Sequence, residues 1–242
     1  MQFTSEKRLD DVLEREFTLG EIPGILWTPG SSSARTPLIL LGHPGGLHRM
    51  YPRLADRARR TVAAGFAAAT IELPWSGERP GSTAADQARA DLHRVLHTGE
   101  PVTDDIVDRL VLPLVDQSVP EWRAVLDVLL ALPEIDGPVG YSGGLISVGV
   151  RFAVVEPRIA AAVLFAGSYV PRTIFEQARE VTIPLHVLLQ WDDEGNDRQQ
   201  ALDLFDAFAS KEKTLHANMG GHTGVPPFAG EEGNRFFARH LK

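Results

Sequence analysis

Residues 138–146, PVGYSGGLI, join an apolar segment to a glycine-rich turn, and nearly all residues from there to Val155 are apolar. This order predicts a buried strand, a sharp turn with Ser142 at its apex, and a buried helix. Gly140 and Gly144 lack a Cβ atom, so the strand and the helix can pack tightly on both sides of the turn. We expect Ser142 in an unfavourable backbone conformation that holds its hydroxyl above the sheet edge, as a serine nucleophile requires.

The bulk composition indicates a soluble globular chain of α/β type. Its 242 residues, 43% of them hydrophobic, predict a single domain over residues 1–242. The net charge is −8, from 24 basic and 32 acidic residues with no basic cluster, which argues against nucleic acid or an anionic membrane as partner. The chain has no cysteine, which excludes disulfides, thiolate catalysis and cysteine-ligated metals.

The location of the protein is predicted from its apolar segments. No apolar stretch follows the first eight residues, so a signal peptide is not expected. The apolar runs 124–132 and 159–167 are shorter than the roughly 20 residues that cross a bilayer. We therefore expect a cytoplasmic protein with no membrane partner.

Strands and helices alternate along the chain, which predicts an α/β fold with a mostly parallel central sheet and helices on both faces. The predicted strands are a hairpin over 14–28, then 37–41, 66–73, the segment before Ser142, 159–167, 185–190 and 213–217. The predicted helices are 52–64, 84–97, 104–115, 121–132, the segment after Ser142, 172–180, 199–209 and 227–240. Residues 81–119 exceed one crossover, and we favour a small lid over an elongated surface connection.

Polar groups follow four of the predicted strands. They are His43 within GHPGG, Ser142, the pair Asp192 and Asp193, and His222 within GGHTG. Because ligands collect at the carboxyl ends of parallel strands, these groups predict one site.

The chemistry of that site follows from its residue types. A serine hydroxyl needs a histidine base to become a nucleophile, and the histidine needs a carboxylate to orient it. Ser142, Asp193 and His222 occur in this order along the chain and form the predicted catalytic triad. The backbone N–H groups of Gly45 and Gly143 are the predicted donors to the oxyanion.

From about residue 17 to its end, the chain resembles an α/β-hydrolase of the dienelactone hydrolase and esterase group. The resemblance is carried by LGHPGG (41–46), GYSGG (140–144), QWDDE (190–194) and GGH (220–222). It implies the α/β-hydrolase fold and a serine hydrolase of carboxylic esters or related acyl compounds (thioesters, lactones), without metal or cofactor. Dienelactone hydrolases proper commonly use a cysteine nucleophile, so Ser142 favours esterase chemistry.

The resemblance also bears on the acid and on the oxyanion loop. The family pattern G-x-x-D-x-x-V-P, placed on 190–197, selects Asp193 over Asp192, which stays as the alternative. Its Val-Pro is replaced here by Asn-Asp, which leaves the shape of the acid loop open. Pro44 has no N–H, so the donor from the oxyanion loop must be Gly45 or Gly46.

Several residues have competing interpretations. Trp75, Tyr141 and Trp191 fall at strand ends, where they either wall the substrate pocket or belong to the core. His93 and His97 have a spacing that binds metals, but the sequence between them lacks the glutamate of H-E-x-x-H and favours a solvated helix face.

The function itself has alternatives on the same fold. They are acyl transfer, C–C bond hydrolysis, and a non-catalytic binding protein that retains the motif. The expected partner is a small-molecule acyl substrate. Its identity and the oligomeric state do not follow from the sequence.

Overall fold

The computed structural model describes residues 1–30, 35–167 and 169–242. The strands, in chain order, are β1 (Gln2–Leu9), β2 (Val12–Leu19), β3 (Ile22–Pro29), β4 (Thr36–Gly42), β5 (Ala67–Ile71), β6 (Ile135–Gly143), β7 (Ile159–Phe165), β8 (Leu185–Gln190) and β9 (Lys213–Asn218). The helices are α1 (Leu47–Ala63), α2 (Thr83–Thr98), α3 (Asp104–Leu130), α4 (Ile146–Val155), α5 (Arg172–Ala178), α6 (Arg198–Ala207) and α7 (Pro227–Leu241).

The strands form one nine-stranded sheet in the order β1-β2-β3-β5-β4-β6-β7-β8-β9. The pairs from β1 to β5 are antiparallel, and those from β5 through β4 to β9 are parallel. The prediction of a mostly parallel sheet is therefore confirmed. Strand β1 was not predicted, because its residues are nearly all exposed and carry no apolar alternation.

Helices cover both faces of the sheet, as predicted. Helices α1 and α7 enclose an apolar core with one face, centred on Trp27, Leu41 and Phe237. Helices α3, α4, α5 and α6 enclose a larger core with the other face, around Trp122 and Phe152. Among the described residues, no helix is long and apolar enough to cross a membrane.

Helix α3 differs from the prediction. Two helices were predicted, over 104–115 and 121–132, whereas the structure has one helix that passes through Pro113 and Pro120. A proline inside a helix costs about 3 kcal/mol because it lacks the N–H and crowds the preceding turn. The helix continues because one stripe of it is buried along its length, formed by Ile106, Val107, Val111, Val115, Val119, Trp122, Leu126 and Leu129.

The predicted lid region is helical. Helix α2 packs on α3. Helix α3 lies along α4, where Asp116 pairs with Arg151 at 3.1 Å. These contacts place much of 81–119 in a helical layer beside the sheet. Its role as a lid stays a prediction.

The strand order changes direction between β4 and β6. From β4 the chain passes through α1 to β5 on one side, whereas β6 lies on the other side of β4. The two strands are therefore followed by connections that lead to opposite sides, and ligands bind at such points in parallel sheets. Gly42 and Gly143, the last residues of the two strands, are register partners.

Glu156, directly after α4, is a buried carboxylate held by arginines. Arg158 Nε lies 2.6 Å from Glu156 Oε1, and Arg123 Nε lies 3.3 Å from Oε2. The hydrogen bonds from Arg158, followed by those from Arg123, lower the pKa of Glu156 from 4.5 to about 2. A lowered pKa in the folded state means that the carboxylate stabilises the fold above pH 4.5 and loses this effect towards pH 2.

We therefore expect Glu156→Gln to lower the free energy of unfolding most at neutral pH, with a difference from wild type that shrinks as the pH falls from 4.5 towards 2. Urea unfolding of both proteins at a series of pH values measures this. A difference that stays constant down to pH 2 would contradict the assigned pKa. Asp136→Asn, at an exposed carboxylate, is the control.

Candidate active site

The predicted acid and base meet at the carboxyl edge of the sheet. Asp193 lies in the loop after β8, and His222 lies in the loop after β9. His222 Nδ1 is 2.7 Å from Asp193 Oδ2, and Asp193 is only 7% exposed. The imidazole also packs edge-on against Phe165, with ring centres 5.5 Å apart. Since the carboxylate engages Nδ1, Nε2 is the nitrogen left for proton transfer.

Three sets of hydrogen bonds define the shape of the acid loop, which the sequence left open. The N–H of Gly195 donates to Asp193 Oδ1 at 3.1 Å, and the Asn196 amide donates to the carbonyl of Ala166 at 3.1 Å. Asp197 accepts from two backbone N–H groups at the start of α6. Asp193 is thereby turned towards His222, whereas Asp192 is exposed.

Ser142 ends up with a different neighbour. Its carbonyl and its hydroxyl lie 2.8 and 3.2 Å from Nη2 of Arg57, and Arg57 Nη1 donates to the carbonyl of Gly42 at 2.9 Å. Among the hydrogen bonds of the described residues, the partner of the Ser142 hydroxyl is thus Arg57 rather than His222. Sequence reasoning missed Arg57, because arginines recur along α1 and nothing marks this one as facing inward.

The expectation of a strained backbone at Ser142 is wrong. Positive φ falls on the next two residues, Gly143 at 75° and Gly144 at 74°, while Ser142 continues the pairing of β6 with β4. Glycine adopts this conformation without the steric cost that a side chain brings, so the glycines make the turn. Both glycines leave no room for a side chain, but against other elements than expected: a Cβ on Gly144 would lie 2.9 Å from Gly42 Cα at the end of β4, and one on Gly140 would lie 2.6 Å from the ring of Phe237 on α7.

The loop after β4 is held by two buried side chains. His43 Nε2 bonds the carbonyl of Ile71 at 2.8 Å, and its Nδ1 accepts from the N–H of Gly45 at 3.1 Å. Burial lowers the pKa of His43, which favours the neutral ring that this pair of bonds requires. The Gly45 N–H is therefore engaged in this conformation, and its role as an oxyanion donor stays a prediction.

Glu72, after β5, is the second of these side chains. It accepts from the N–H groups of Gly46 and Leu47 at 3.0 and 2.6 Å, at the start of α1. The hydroxyl of Ser76 donates to it as well. Sequence reasoning missed Glu72, although a lone carboxylate at the end of the apolar segment 66–73 was a usable signal.

The three aromatic residues proposed as pocket walls have different surroundings. Tyr141 is buried and packs edge-on against Trp122 and Phe152, with ring centres 6.2 and 5.8 Å away. It is a core residue, so the prediction that it lines the pocket is wrong. Its side chain faces α3 and α4, on the opposite side of the sheet from the side chain of Ser142, its neighbour in β6.

Trp75 and Trp191 lie on loops at the site edge of the sheet and are partly exposed. Trp75 has a φ of 58°, which is uncommon for a bulky residue and concentrates at functional sites. The ring of Trp191 is covered by the guanidinium of Arg198 at 4.3 Å.

The arrangement of sheet, elbow and acid–base pair defines an α/β-hydrolase. Solved structures agree: a PEG-bound novel cold-adapted esterase from an Arctic intertidal metagenomic library superposes with a TM-score of 0.78 and 28% identity, covering 100% of both chains. A zinc-bound structure with the same description has a TM-score of 0.74, 26% identity and the same coverage. A dienelactone hydrolase from Anabaena variabilis has a TM-score of 0.61 and 17% identity, over 98% of this chain and 99% of that one.

No protein-family model and no curated protein sequence matches the chain. The esterases of 26–28% identity show that the chain has the α/β-hydrolase fold and is an enzyme of the class that hydrolyses ester bonds. The dienelactone hydrolase, at 17% identity, agrees with the fold alone. The resemblance noted in the sequence is thereby confirmed.

We expect Arg57→Met to destabilise the fold, because the carbonyls of Gly42 and Ser142 lose a shared donor in a partly buried place. The cost of leaving such groups unpaired is about 1–3 kcal/mol per group. Arg53→Met, an exposed arginine one turn earlier on α1, is the control and should change stability by no more than about 0.5 kcal/mol. Equal unfolding free energies for the two variants would show that the Arg57 contacts do not stabilise the turn.

Proposed function

We propose that the chain is a serine esterase that cleaves a carboxylic ester, or a related thioester or lactone, through an acyl-enzyme on Ser142. The observation that carries the proposal is the hydrogen bond between His222 and Asp193, at the same sheet edge as Ser142, the next-to-last residue of β6. A histidine oriented by a buried carboxylate is the arrangement that activates a serine.

The reaction would begin with attack of Ser142 Oγ on the substrate carbonyl while His222 Nε2 removes the hydroxyl proton. His222 then gives this proton to the leaving alcohol, and the acyl group remains on Ser142 as an ester. Water attacks that ester with His222 again as base, and the acid is released. Asp193 stabilises the imidazolium in both halves of the reaction and is not itself protonated.

This mechanism requires the Ser142 hydroxyl to exchange Arg57 for His222. The two glycines after Ser142 support such a rearrangement, because glycine moves between backbone conformations at little cost. Catalytic hydrogen bonds are often long or misaligned in a ligand-free site and tighten when substrate binds. Arg57 would then remain below the serine with its bonds to the two carbonyls.

The oxyanion is proposed to be held by the N–H of Gly143 and by a second donor from the loop after β4. Gly45 provides this donor if its N–H leaves His43, and Gly46 provides it if its N–H leaves Glu72. Each such donor is worth about 3–4 kcal/mol of the barrier.

The substrate is proposed to be a small acyl compound in the cytoplasm, with Trp75 and Trp191 at the walls of its pocket. Both rings lie on loops at the carboxyl edge of the sheet, where the acyl or alcohol group would enter. The net charge of −8 disfavours nucleic acid or an anionic membrane as a partner.

Hydrolysis of p-nitrophenyl acetate and butyrate tests the proposal. We expect Ser142→Ala, His222→Ala and Asp193→Asn each to lower kcat/KM by about 10⁴-fold or more, because triad members act as a unit. Asp192→Asn is the matched control for the acid, and it should keep the wild-type rate. A fluorophosphonate should add once, at Ser142, as read by intact mass and peptide mapping.

Hydrolysis that survives Ser142→Ala and His222→Ala, with no adduct at Ser142, would rule out the proposed mechanism. Loss of activity in Asp192→Asn but not in Asp193→Asn would move the acid to the neighbouring residue and leave the rest intact. Circular dichroism of each variant separates these results from unfolding.

A further inference from the structure

Two histidines and a glutamate converge on the α7 side of the sheet, between β8, β9 and the helix. His186 lies on β8, His216 on β9 and Glu232 on α7, and one ligand atom from each lies within 4.8 Å of the others. We propose that these three side chains bind one divalent transition-metal ion, of which zinc is the best match. The site is separate from the proposed triad, because Ser142 lies at the carboxyl end of β6 and Asp193 and His222 lie in the loops after β8 and β9.

His186 is the most informative of the three. It is 8% exposed, and its Nδ1 lies 2.8 Å from the hydroxyl of Thr214 on β9. Its Nε2 is buried and has no hydrogen-bond partner among the described residues. When Nδ1 holds the proton and donates to Thr214, Nε2 presents a free lone pair. A metal-bound histidine is typically oriented by such a bond from its second nitrogen.

Nε2 of His186 is enclosed by the protein and lacks a hydrogen-bond partner among the described residues. A buried ring nitrogen without a partner is costly, because it has lost its bond to water. A metal ion would remove that cost.

His216 and Glu232 complete the set. Glu232 Oε2 lies 2.7 Å from His216 Nδ1, yet this oxygen is buried and has no partner with hydrogen-bond geometry in the described part of the chain. The two side chains are 30% and 35% exposed, so an ion has a path from solvent. Binding requires this pair to open slightly, since tetrahedral bonds of 2.0–2.2 Å hold ligand atoms about 3.3 Å apart.

The donor set selects the metal. Two imidazoles and one carboxylate are ligands that zinc accepts in tetrahedral sites, with water as the fourth. Calcium and magnesium prefer oxygen ligands, and the site offers only one carboxylate.

The competing explanation is that packing against phenylalanine rings, without any ion, holds the two histidines in place. Phe236 packs on His186 with ring centres 5.8 Å apart, and Phe228 packs on His216 at 5.9 Å. This packing accounts for the positions of the two rings. It leaves His186 Nε2 without a hydrogen bond and Glu232 Oε2 with only its approach to His216 Nδ1, whereas a metal ion would bind both atoms.

The proposed metal site joins the two elements that flank the loop of His222. His222 lies in the connection between β9, which ends at Asn218, and α7, which begins at Pro227. The metal would tie β9 and α7 to β8 and so hold both flanks of this connection. Its role would be structural, and it would raise the thermal stability of the loop that carries His222.

Zinc binding by the whole chain tests the proposal, with no need for activity. After treatment with a chelator and its removal, equilibrium dialysis should find one zinc ion per chain, and zinc should raise Tm. Cobalt(II) should give the visible absorption of a tetrahedral site. His216→Ala and Glu232→Gln, at partly exposed ligands, should weaken zinc binding at least tenfold. Thr214→Val, which removes the bond that orients His186, should weaken it by about 10–100-fold.

The matched control is the double variant His93→Ala/His97→Ala, which removes the exposed histidine pair on α2. It should bind zinc with the wild-type stoichiometry, affinity and Tm shift. Absence of stoichiometric zinc in the wild type would overturn the proposal. Binding that survives both His216→Ala and Glu232→Gln, or that is lost in the α2 variant, would overturn it as well.

Discussion

The close approach of the backbone at Gly42 and Gly144 is the constraint on which the site depends. A Cβ on Gly144 would lie 2.9 Å from Gly42 Cα, so any side chain here would separate the end of β4 from the start of α4. This contact brings the turn after β6 beside the loop after β4, at the point where the strand order diverges. Arg57 strengthens this contact by donating hydrogen bonds to the carbonyls of Gly42 and Ser142.

Two further loops bring charge to this edge. The buried Asp193 orients His222 by a hydrogen bond of 2.7 Å, and the N–H of Gly195 in the acid loop donates to Asp193 Oδ1 in turn. On the opposite side, Glu72 occupies the N–H groups at the start of α1. Both carboxylates are placed by loop geometry, yet only Asp193 carries a sequence pattern that suggested its role.

Most of the fold could be predicted, because buried strands and amphipathic helices leave periodic apolar patterns. Strand β1 has no such pattern, since it lies at the sheet edge and is exposed on nearly every residue. For helix α3 the local pattern was misleading. Its prolines suggested a break, whereas burial of one continuous stripe keeps the helix intact. In both cases packing with distant segments, which a local pattern does not contain, decided the outcome.

By itself, the sequence determined the order of elements, the glycines that allow the turn, and the residue types for a serine hydrolase. Those features depend on the residues alone, through backbone freedom and side-chain chemistry. Only the tertiary structure decided that Asp193 rather than Asp192 faces His222, that Tyr141 belongs to the core, and that Arg57 lies under Ser142. It alone also brought His186, His216 and Glu232 together. These are distances between segments far apart in the chain, and they are set by how the sheet and its helices pack.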